Sequence, residues 1–393
     1  MNASSRIAII GAGITGPTLG ISLAKLGYEV DIFEAYEGRV EEAGSFLNLA
    51  PNGRAVLSRL GVADHVLAAG YRSSAITFSN HKDRRLATNP ETTTNIMRGS
   101  LSAGLREAAS LAGVRIHEGK RLVDLNSTGS QHWKIVFADG TSSQAEIVLG
   151  CDGVHSATRS LLMPEASTPS YTGVVGSGGR SLINDSEILG DGKFHMFFGL
   201  RGFFGYQVIE PGVVYWFENH NEVNEPTFKE LAQVSDEDWT SRLAVRHDCD
   251  PNVISRILRA SVKNVGRWPV YQVPPLTTWH CGSAAVLGDA AHAVAPHLGQ
   301  GASLGMEDAY ELALAIHSRN NIADAFTAFE ESRSKRIASV SKQAQQTGSV
   351  MTPSRWILRL MRDLMLPVAI KQQVRRGSQA YDYSPSPWPD LPG

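Results

Sequence analysis

Only three cysteines occur in 393 residues, Cys151, Cys249 and Cys281. They form no CxxC pair, and although His247 and His280 lie close to two of them, no set has metal-ligand spacing, so neither a disulfide framework nor a metal site is expected. A reduced, cytoplasmic setting fits that usage. No run of about 18 uninterrupted apolar residues exists, which excludes an integral membrane helix. The apolar stretch from Ile7 to Leu23 is broken by four glycines and a proline and follows no multi-charge segment, so it is not read as a signal peptide. Excess charge is missing too. With 37 Lys and Arg against 39 Asp and Glu, there is no basic surplus to hold nucleic acid. Internal repeats and low-complexity tracts are absent. What remains is an ordinary globular composition, 42% apolar and 19% charged, in a chain long enough for two or three domains and an enclosed large cofactor.

The N-terminus reads as a nucleotide-binding unit. Arg6 to Ile10 is a β-branched apolar run, Thr18 to Leu26 has helical spacing, and Tyr28 to Phe33 alternates like a strand. Gly27 sits where a helix C-cap is favoured. Helices are expected over Gly53–Leu60 and Leu101–Ala112, and a strand over Val114–Ile116. A hairpin turning at Asp139-Gly140 follows, then the apolar strand Glu146–Leu149. Between Tyr171 and Trp268 the pattern changes to aromatic β-type runs, Phe194–Phe198, Phe203–Ile209 and Val213–Phe217. Helical spacing returns over Glu307–Ile316 and Asn321–Gln345, and a Pro-rich tail closes the chain.

Gly11-Ala12-Gly13-Ile14-Thr15-Gly16 links the first strand to the first helix. These glycines permit a tight turn, close approach of backbone to a pyrophosphate, and tight helix packing, with helix N-terminal amides facing the phosphates. Glu34, with Ala35 after it, ends the second strand where an acid binds ribose hydroxyls. The fingerprint alone does not separate NAD from FAD.

Two further segments do. Glu146-Ile-Val-Leu-Gly-Cys-Asp-Gly carries Asp152-Gly153 directly after a strand, and Ala284-Ala-Val-Leu-Gly-Asp carries Gly288-Asp289 likewise, running on to Pro296-His-Leu-Gly-Gln-Gly301 and Glu307-Asp308. In these motifs, over Arg6 to Ala315, the sequence resembles the FAD-dependent monooxygenases of the aromatic-hydroxylase type, the group of para-hydroxybenzoate, salicylate and urate hydroxylases and tetracycline-inactivating enzymes. The resemblance implies that Asp289 bonds the flavin ribityl chain and that Pro296, His297, Gly299, Gln300, Gly301 and Ala302 lie along the isoalloxazine. It implies that Asp152-Gly153 serves both FAD and a passing nicotinamide nucleotide, and that Arg98 opens a helix contacting FAD. Asn48 falls on the flavin side and Leu122 near the adenine. Ser303 stands where the family usually has Asn, which puts one polar contact in doubt.

The resemblance also implies an α/β fold. A Rossmann-like FAD-binding domain is expected from 1–75, 97–165 and 272–345, with an inserted, mostly antiparallel β-sheet substrate domain from 76–96 and 166–271, and a C-terminal helical segment and tail from 346–393. Reduced FAD, supplied with electrons by NADH or NADPH, would react with O2 to give a flavin 4a-hydroperoxide that passes oxygen to a small aromatic substrate. Catalytic candidates are Pro296, His297, Tyr206 and Arg201. Substrate candidates are His195, Phe204, Tyr206 and Tyr215, with either face of the sheet open as the pocket lining. A non-hydroxylating flavoprotein, or an FAD-holding binding module, remains the alternative. Without the extra C-terminal domain of larger phenol hydroxylases, a monomer or weak dimer is expected.

The last segment reads two ways. Arg355 to Arg376 places Trp356, Ile357, Leu360, Met361, Leu364 and Met365 at helical spacing among six basic residues, which suits an anionic membrane surface. The family instead commonly packs such a helix against the FAD domain, and docking in the core is the preferred expectation.

Overall fold

A computed structural model describes residues 5–38, 46–127, 132–183, 188, 190–295, 298–351, 356–376 and 381–390. The chain begins β1 (Arg6–Ile10), α1 (Thr15–Lys25), β2 (Glu29–Phe33), β3 (Phe46–Leu49), α2 (Pro51–Arg59) and α3 (Ala63–Val66). Strands β4 (Tyr71–Ser73), β5 (Ile76–Asn80), β6 (Arg85–Asn89) and β7 (Thr93–Met97) lead to α4 (Arg98–Leu111). Next come β8 (Arg115–His117), β9 (Leu122–Ser127), β10 (Trp133–Phe137), β11 (Ser142–Ala145), β12 (Ile147–Gly150) and α5 (Ala157–Leu162). The inserted part holds β13 (Ser170–Leu182), β14 (Phe194–Phe198), β15 (Phe203–Glu210), β16 (Val213–Asn221), α6 (Phe228–Gln233), α7 (Asp236–Arg246), α8 (Asn252–Arg259) and β17 (Gly266–Gln272). The chain closes with β18 (His280–Cys281), β19 (Ala284–Val286), α9 (Asp289–His292), α10 (Gly301–Ser318), α11 (Ile322–Met351) and α12 (Trp356–Arg376).

Strands in the order β18-β19-β12-β1-β2-β8 build a six-stranded sheet, parallel except at β18. A parallel sheet is covered on both faces, so its strands are apolar throughout, as Ile147–Gly150 is. Helices α1, α4, α10 and α11 surround one large core containing Ile9, Leu19, Ile32, Leu105, Leu149, Tyr310 and Phe326. On the other face Phe33, Leu122, Ile135 and Phe137 join the hairpin sheet β11-β10-β9 to it. Tyr383 and Trp388 of the tail pack back onto the large core.

The inserted sheet has the order β17-β13-β16-β15-β14-β5-β6 and is antiparallel apart from the β14–β5 pair. A third sheet, β3-β7-β4, stands between the two parts. Three helices between β16 and β17 carry no mark in the sequence reading of Tyr171 to Trp268 as aromatic β-type runs. Thr227 and Glu230 form a capping box before α6, and Ser235 caps α7 ahead of three acidic residues. These helices seal one face of the inserted sheet, packing Trp239, Leu243, Ile254 and Ile257 on Phe204, Val214 and Trp216.

The C-terminal helix corrects a second expectation. It runs along β6 of the inserted sheet and docks through polar residues. Arg362 lies 4.7 Å above the Phe198 ring, and Asp363 accepts a 2.7 Å bond from Asn80.

Candidate functional site

The fingerprint turn leaves the carboxyl end of β1, where ligands of open parallel sheets bind. Gly11 has φ +101°, and a β-carbon there would stand 2.6 Å from the Cys151 carbonyl, so the turn and the β12 loop are in backbone contact. A β-carbon on Gly16 would collide with the Gly11 carbonyl, whereas one on Gly13 would meet nothing within 4 Å. The turn is thus closed towards the protein and open at Gly13. Glu34 accepts from the Ala12 amide at 2.7 Å and the Tyr36 amide at 3.1 Å, with the Arg106 guanidinium 3.6 Å away. Ala35 follows, half-buried.

Helix α4 braces the turn from the other side. Ser102 Oγ donates to the Gly13 carbonyl at 3.1 Å, and Arg106 Nε donates to the Ala12 carbonyl at 2.6 Å. Sequence reading missed both, since only the i, i+4 spacing from Arg98 links them. Arg98 belongs to the same helical stripe, is exposed, and sits one turn nearer the helix start.

Asp289 and the end of the flavin segment come to the same place. Gly288 has φ +61° and packs 2.6 Å, by its missing β-carbon, from Thr15 Oγ1; Gly305 of α10 crowds the same hydroxyl. Thr15 therefore locks two chain segments and spends its side chain on packing. Beneath this junction Asp308 accepts from the Gly288 amide at 3.0 Å, from His292 at 2.5 Å and from Arg333 at 2.7 Å. Burial opposes its charge, but His292 and Arg333 hold the carboxyl down at about 2. Asp289 itself is half-buried with its carboxylate 3.7 Å from the position of a Gly301 β-carbon, and makes no hydrogen bond to a described residue.

Gly299 has φ +62° and faces the Asn48 carbonyl at 3.9 Å. Gln300, Gly301 and Ala302 lead into α10. Gln300 Nε2, Ser303 Oγ and Asn52 Oδ1 are buried there without partners among the described residues, although Asn52 donates to Gln300 Oε1 at 2.9 Å and to Glu307 at 2.6 Å. Ser303 is packed against Gly53. Pro296 and His297 lie outside the described residues.

Other candidates have side chains engaged within the protein. Asp152 turns its carboxylate to Ser156 Oγ at 2.5 Å and to the Thr158 amide at 2.9 Å, capping α5; burial pushes its carboxyl upward against those bonds. Gly153, with φ +80° and open space at its β-position, leaves only backbone for a ligand. The Leu122 side chain is core, packed with Phe33 and Phe137. Asn48 sends its side chain to Thr93 and Asn95, both at 2.6 Å, while its carbonyl lies beside Gly299.

The larger correction concerns the inserted sheet. Phe204 and Tyr206 lie on the face covered by α6–α8, and burial lifts the Tyr206 phenol to about 12. His195 is paired with Tyr206, stacks on it at 4.9 Å, and bonds Asp191 and Thr77. Arg201 is an exposed turn residue 3.4 Å from Asp248. On that covered side Glu218, His247 and Asp250 form a fully buried chain, with His247 Nδ1 2.7 Å from Asp250. Burial opposes both charges, yet Asp250 and Glu218 hold His247 up at about 9, and His220, 2.8 Å from Glu218, together with His247 holds Glu218 down at about 2. The arrangement faces helices, not a cleft.

The opposite, inner face carries Gln207, Tyr215 and Phe217. It meets β3, where Phe46 stacks on Tyr215 at 6.0 Å and packs edge-on to Phe217 at 5.9 Å. A buried amide chain crosses the junction: Asn48 donates to Asn95, Asn95 donates to Gln207, and Gln207 donates to the Arg72 carbonyl at 3.2 Å. Cross-strand register puts Gly176, Gly178 and Gly205 on this face beside Phe217 and Trp268. Of the four substrate candidates, only Tyr215 is here.

Residues 4–344 match the model of the family described as FAD binding domain. A 2-heptyl-3-hydroxy-4(1H)-quinolone synthase of Mycobacteroides abscessus is 28% identical over 84% of this chain and 86% of its own length. An FAD-dependent urate hydroxylase of Mycolicibacterium vanbaalenii is 26% identical over 89% of the chain and 91% of its own. The fold is shared with Klebsiella pneumoniae HpxO, whose structure holds FAD and uric acid, at a TM-score of 0.83 and 19% identity, covering 94% of this chain and 96% of that one. The open turn at Gly13, the unpaired Asp289 carboxylate and the orphaned Gln300 amide all fit that cofactor. The chain belongs to the FAD binding domain family, binds FAD, and is an enzyme of the flavin-dependent monooxygenase class.

Proposed function

We propose that this enzyme inserts one oxygen atom of O2 into a small, flat aromatic or heteroaromatic substrate, with NADH or NADPH as reductant. The observation that carries this reading is the amide chain from Asn48, beside Gly299, to Gln207 in the middle of the inner face, because it sets an aromatic wall against the flavin-side turn. FAD supplies the redox chemistry and dioxygen activation when bound.

The chain's own residues do the rest. Gly13, Arg98 and the N-terminus of α1 hold the pyrophosphate on the turn that Gly11 and Gly16 shape, Glu34 the ribose, Asp289 the ribityl chain, and Gly299 to Ala302 the ring edge. The rings of Phe217 and Trp268 lie over Gly205 and Gly176 and, with Tyr215, wall the inner face and exclude water from it. Residues 76–96 and 166–271 are assigned to substrate binding on that basis. Urate and 4-quinolone, named for the two relatives, are flat nitrogen heterocycles of suitable shape. Three unpaired cysteines suit a reducing cytoplasm, and the enzyme is taken to be a monomer or weak dimer.

The test offers urate, alkylquinolones and hydroxybenzoates to the FAD-loaded enzyme with NADH or NADPH under oxygen-18-labelled dioxygen. A substrate that accelerates nicotinamide oxidation and gains one labelled oxygen is the expected result. Nicotinamide oxidation that returns all oxygen as peroxide for every compound would instead identify an oxidase, and a flavin that no nicotinamide reduces would identify a binding module.

A further inference from the structure

Helix α12 is turned inside out. At 3.6 residues per turn, Trp356, Leu360, Leu364 and Val368 share one side with Ile357, Met361 and Met365, while Arg359, Arg362, Asp363 and Leu366 share the other. An ordinary surface helix buries the first set. Here the second set is docked. Arg362 and Asp363 are buried against Phe198 and Asn80, and Leu366 joins the cluster of Leu86, Phe198 and Phe203. The apolar side faces out, with Trp356 68%, Leu364 61%, Met365 63% and Val368 57% exposed. Half of the exposed large apolar side chains among the described residues lie on this one helix. A contiguous patch of that kind marks an interaction surface.

Charge identifies what covers it. Within Trp356–Arg376 the sequence has Arg359, Lys371, Arg375 and Arg376 besides the buried, mutually neutralising pair of Arg362 and Asp363. The β5–β6 turn beside the helix adds exposed Lys82, Arg84 and Arg85 around Asp83, and His81 at that turn lies within the field of both Lys82 and Arg359. The whole chain carries a net charge of −2, so this concentration of cations is local. Two such faces brought together would oppose like charges, which disfavours a second copy as the occupant. From Trp356 to Val368 the helix is about 20 Å long, too short to cross a bilayer core, and among the described residues no helix qualifies as a span. Tryptophan at the end of an apolar stripe flanked by cations suits the headgroup boundary.

We propose that the free face of α12 lies on an anionic lipid surface, anchoring the enzyme peripherally with the helix parallel to the membrane plane. The binding joins burial of the apolar stripe to attraction between the flanking cations and acidic headgroups.

The test is co-sedimentation of the full-length, FAD-loaded enzyme with phosphatidylcholine vesicles, with and without phosphatidylglycerol. Binding at low salt should be at least about tenfold stronger to the anionic vesicles, and should fall as salt screens the headgroups. Leu360→Glu with Leu364→Glu should lower it by about tenfold or more, since charged groups do not enter the acyl boundary, while flavin absorbance is retained. Lys371→Glu, an exposed change that leaves the apolar stripe intact, should lower it less. Absence of vesicle binding overturns the proposal, as does equal binding to neutral and anionic vesicles. A dimer in light scattering that becomes monomeric in the Leu360→Glu/Leu364→Glu variant, with no vesicle binding, would assign the face to a second copy.

Discussion

Gly13 and Gly16 look alike in the sequence and do different things in the fold. Gly16 is required by the protein, because its β-position is filled by the Gly11 carbonyl; Gly13 is required by the ligand, because nothing of the chain lies within 4 Å. Gly16→Ala should therefore cost stability, about 3 kcal/mol for an overpacked turn. Gly13→Ala should leave stability within about 0.5 kcal/mol yet weaken FAD by about tenfold or more, equivalent to about 1.4 kcal/mol. Thermal melting and flavin-fluorescence titration of the two variants separate these effects, and equal loss of stability in both would sink the distinction. At this scale the glycines were legible because a tight turn demands them locally. The second role of Asp152 was not legible, because its bonds to the helix start at Ser156 and Thr158 show only in the coordinates. Ser102 and Arg106 carry no local mark at all; they matter because α4 passes the fingerprint turn.

Strand β15 shows the same limit for an element. Alternation correctly divides Phe204 and Tyr206 from Gln207, but a period of two does not say which set faces inward. The sequence left both sides open, and three helices of the inserted part cover Phe204 and Tyr206. The inner face is marked instead by Gln207 and its bonds to Asn95 and Arg72. Tyr206→Phe should then change kcat/KM by no more than about twofold, as expected for a conservative change away from the site. Gln207→Leu leaves the buried Asn95 amide and the Arg72 carbonyl unpaired, an expense of about 1–3 kcal/mol, and should lower kcat/KM by about tenfold or more while raising the share of oxygen released as peroxide. Steady-state kinetics with peroxide measured in parallel decides it. A large loss in the Tyr206 variant with none in the Gln207 variant would reverse the assignment of faces.

For the whole molecule the decisive property is that the parallel pairing of β1, β12 and β19 brings together segments far apart in the chain, residues 11–16, 152–153 and 288–295, where the nucleotide site is proposed. Thr15 against Gly288 and Gly305, and Arg333 against Asp308, already tie these pieces together. FAD adds a further tie that exists only in the folded state, so at a concentration a hundred times its Kd it should contribute about 2.7 kcal/mol. Stripping FAD should lower Tm by about 5 °C or more, at about 2–4 °C per kcal/mol, and readdition should restore it. An unchanged melting point would mean that these segments do not share the cofactor.

The sequence by itself determined a dinucleotide fingerprint, a short-range contract between a strand end, a turn and a helix start, and the resemblance carried by the Asp152-Gly153 and Gly288-Asp289 segments implied that the nucleotide is FAD. It also determined the strands and the apolar stripe of α12, which follow from periodicities of two and 3.6. The tertiary structure decided what each periodic element faces. Which side of β15 looks toward the cofactor depends on register with β16 and contact with β3, and which side of α12 is buried depends on Asn80 and Phe198, more than 150 residues earlier in the chain. Such choices are set by partners distant in sequence, and local patterning holds no record of them.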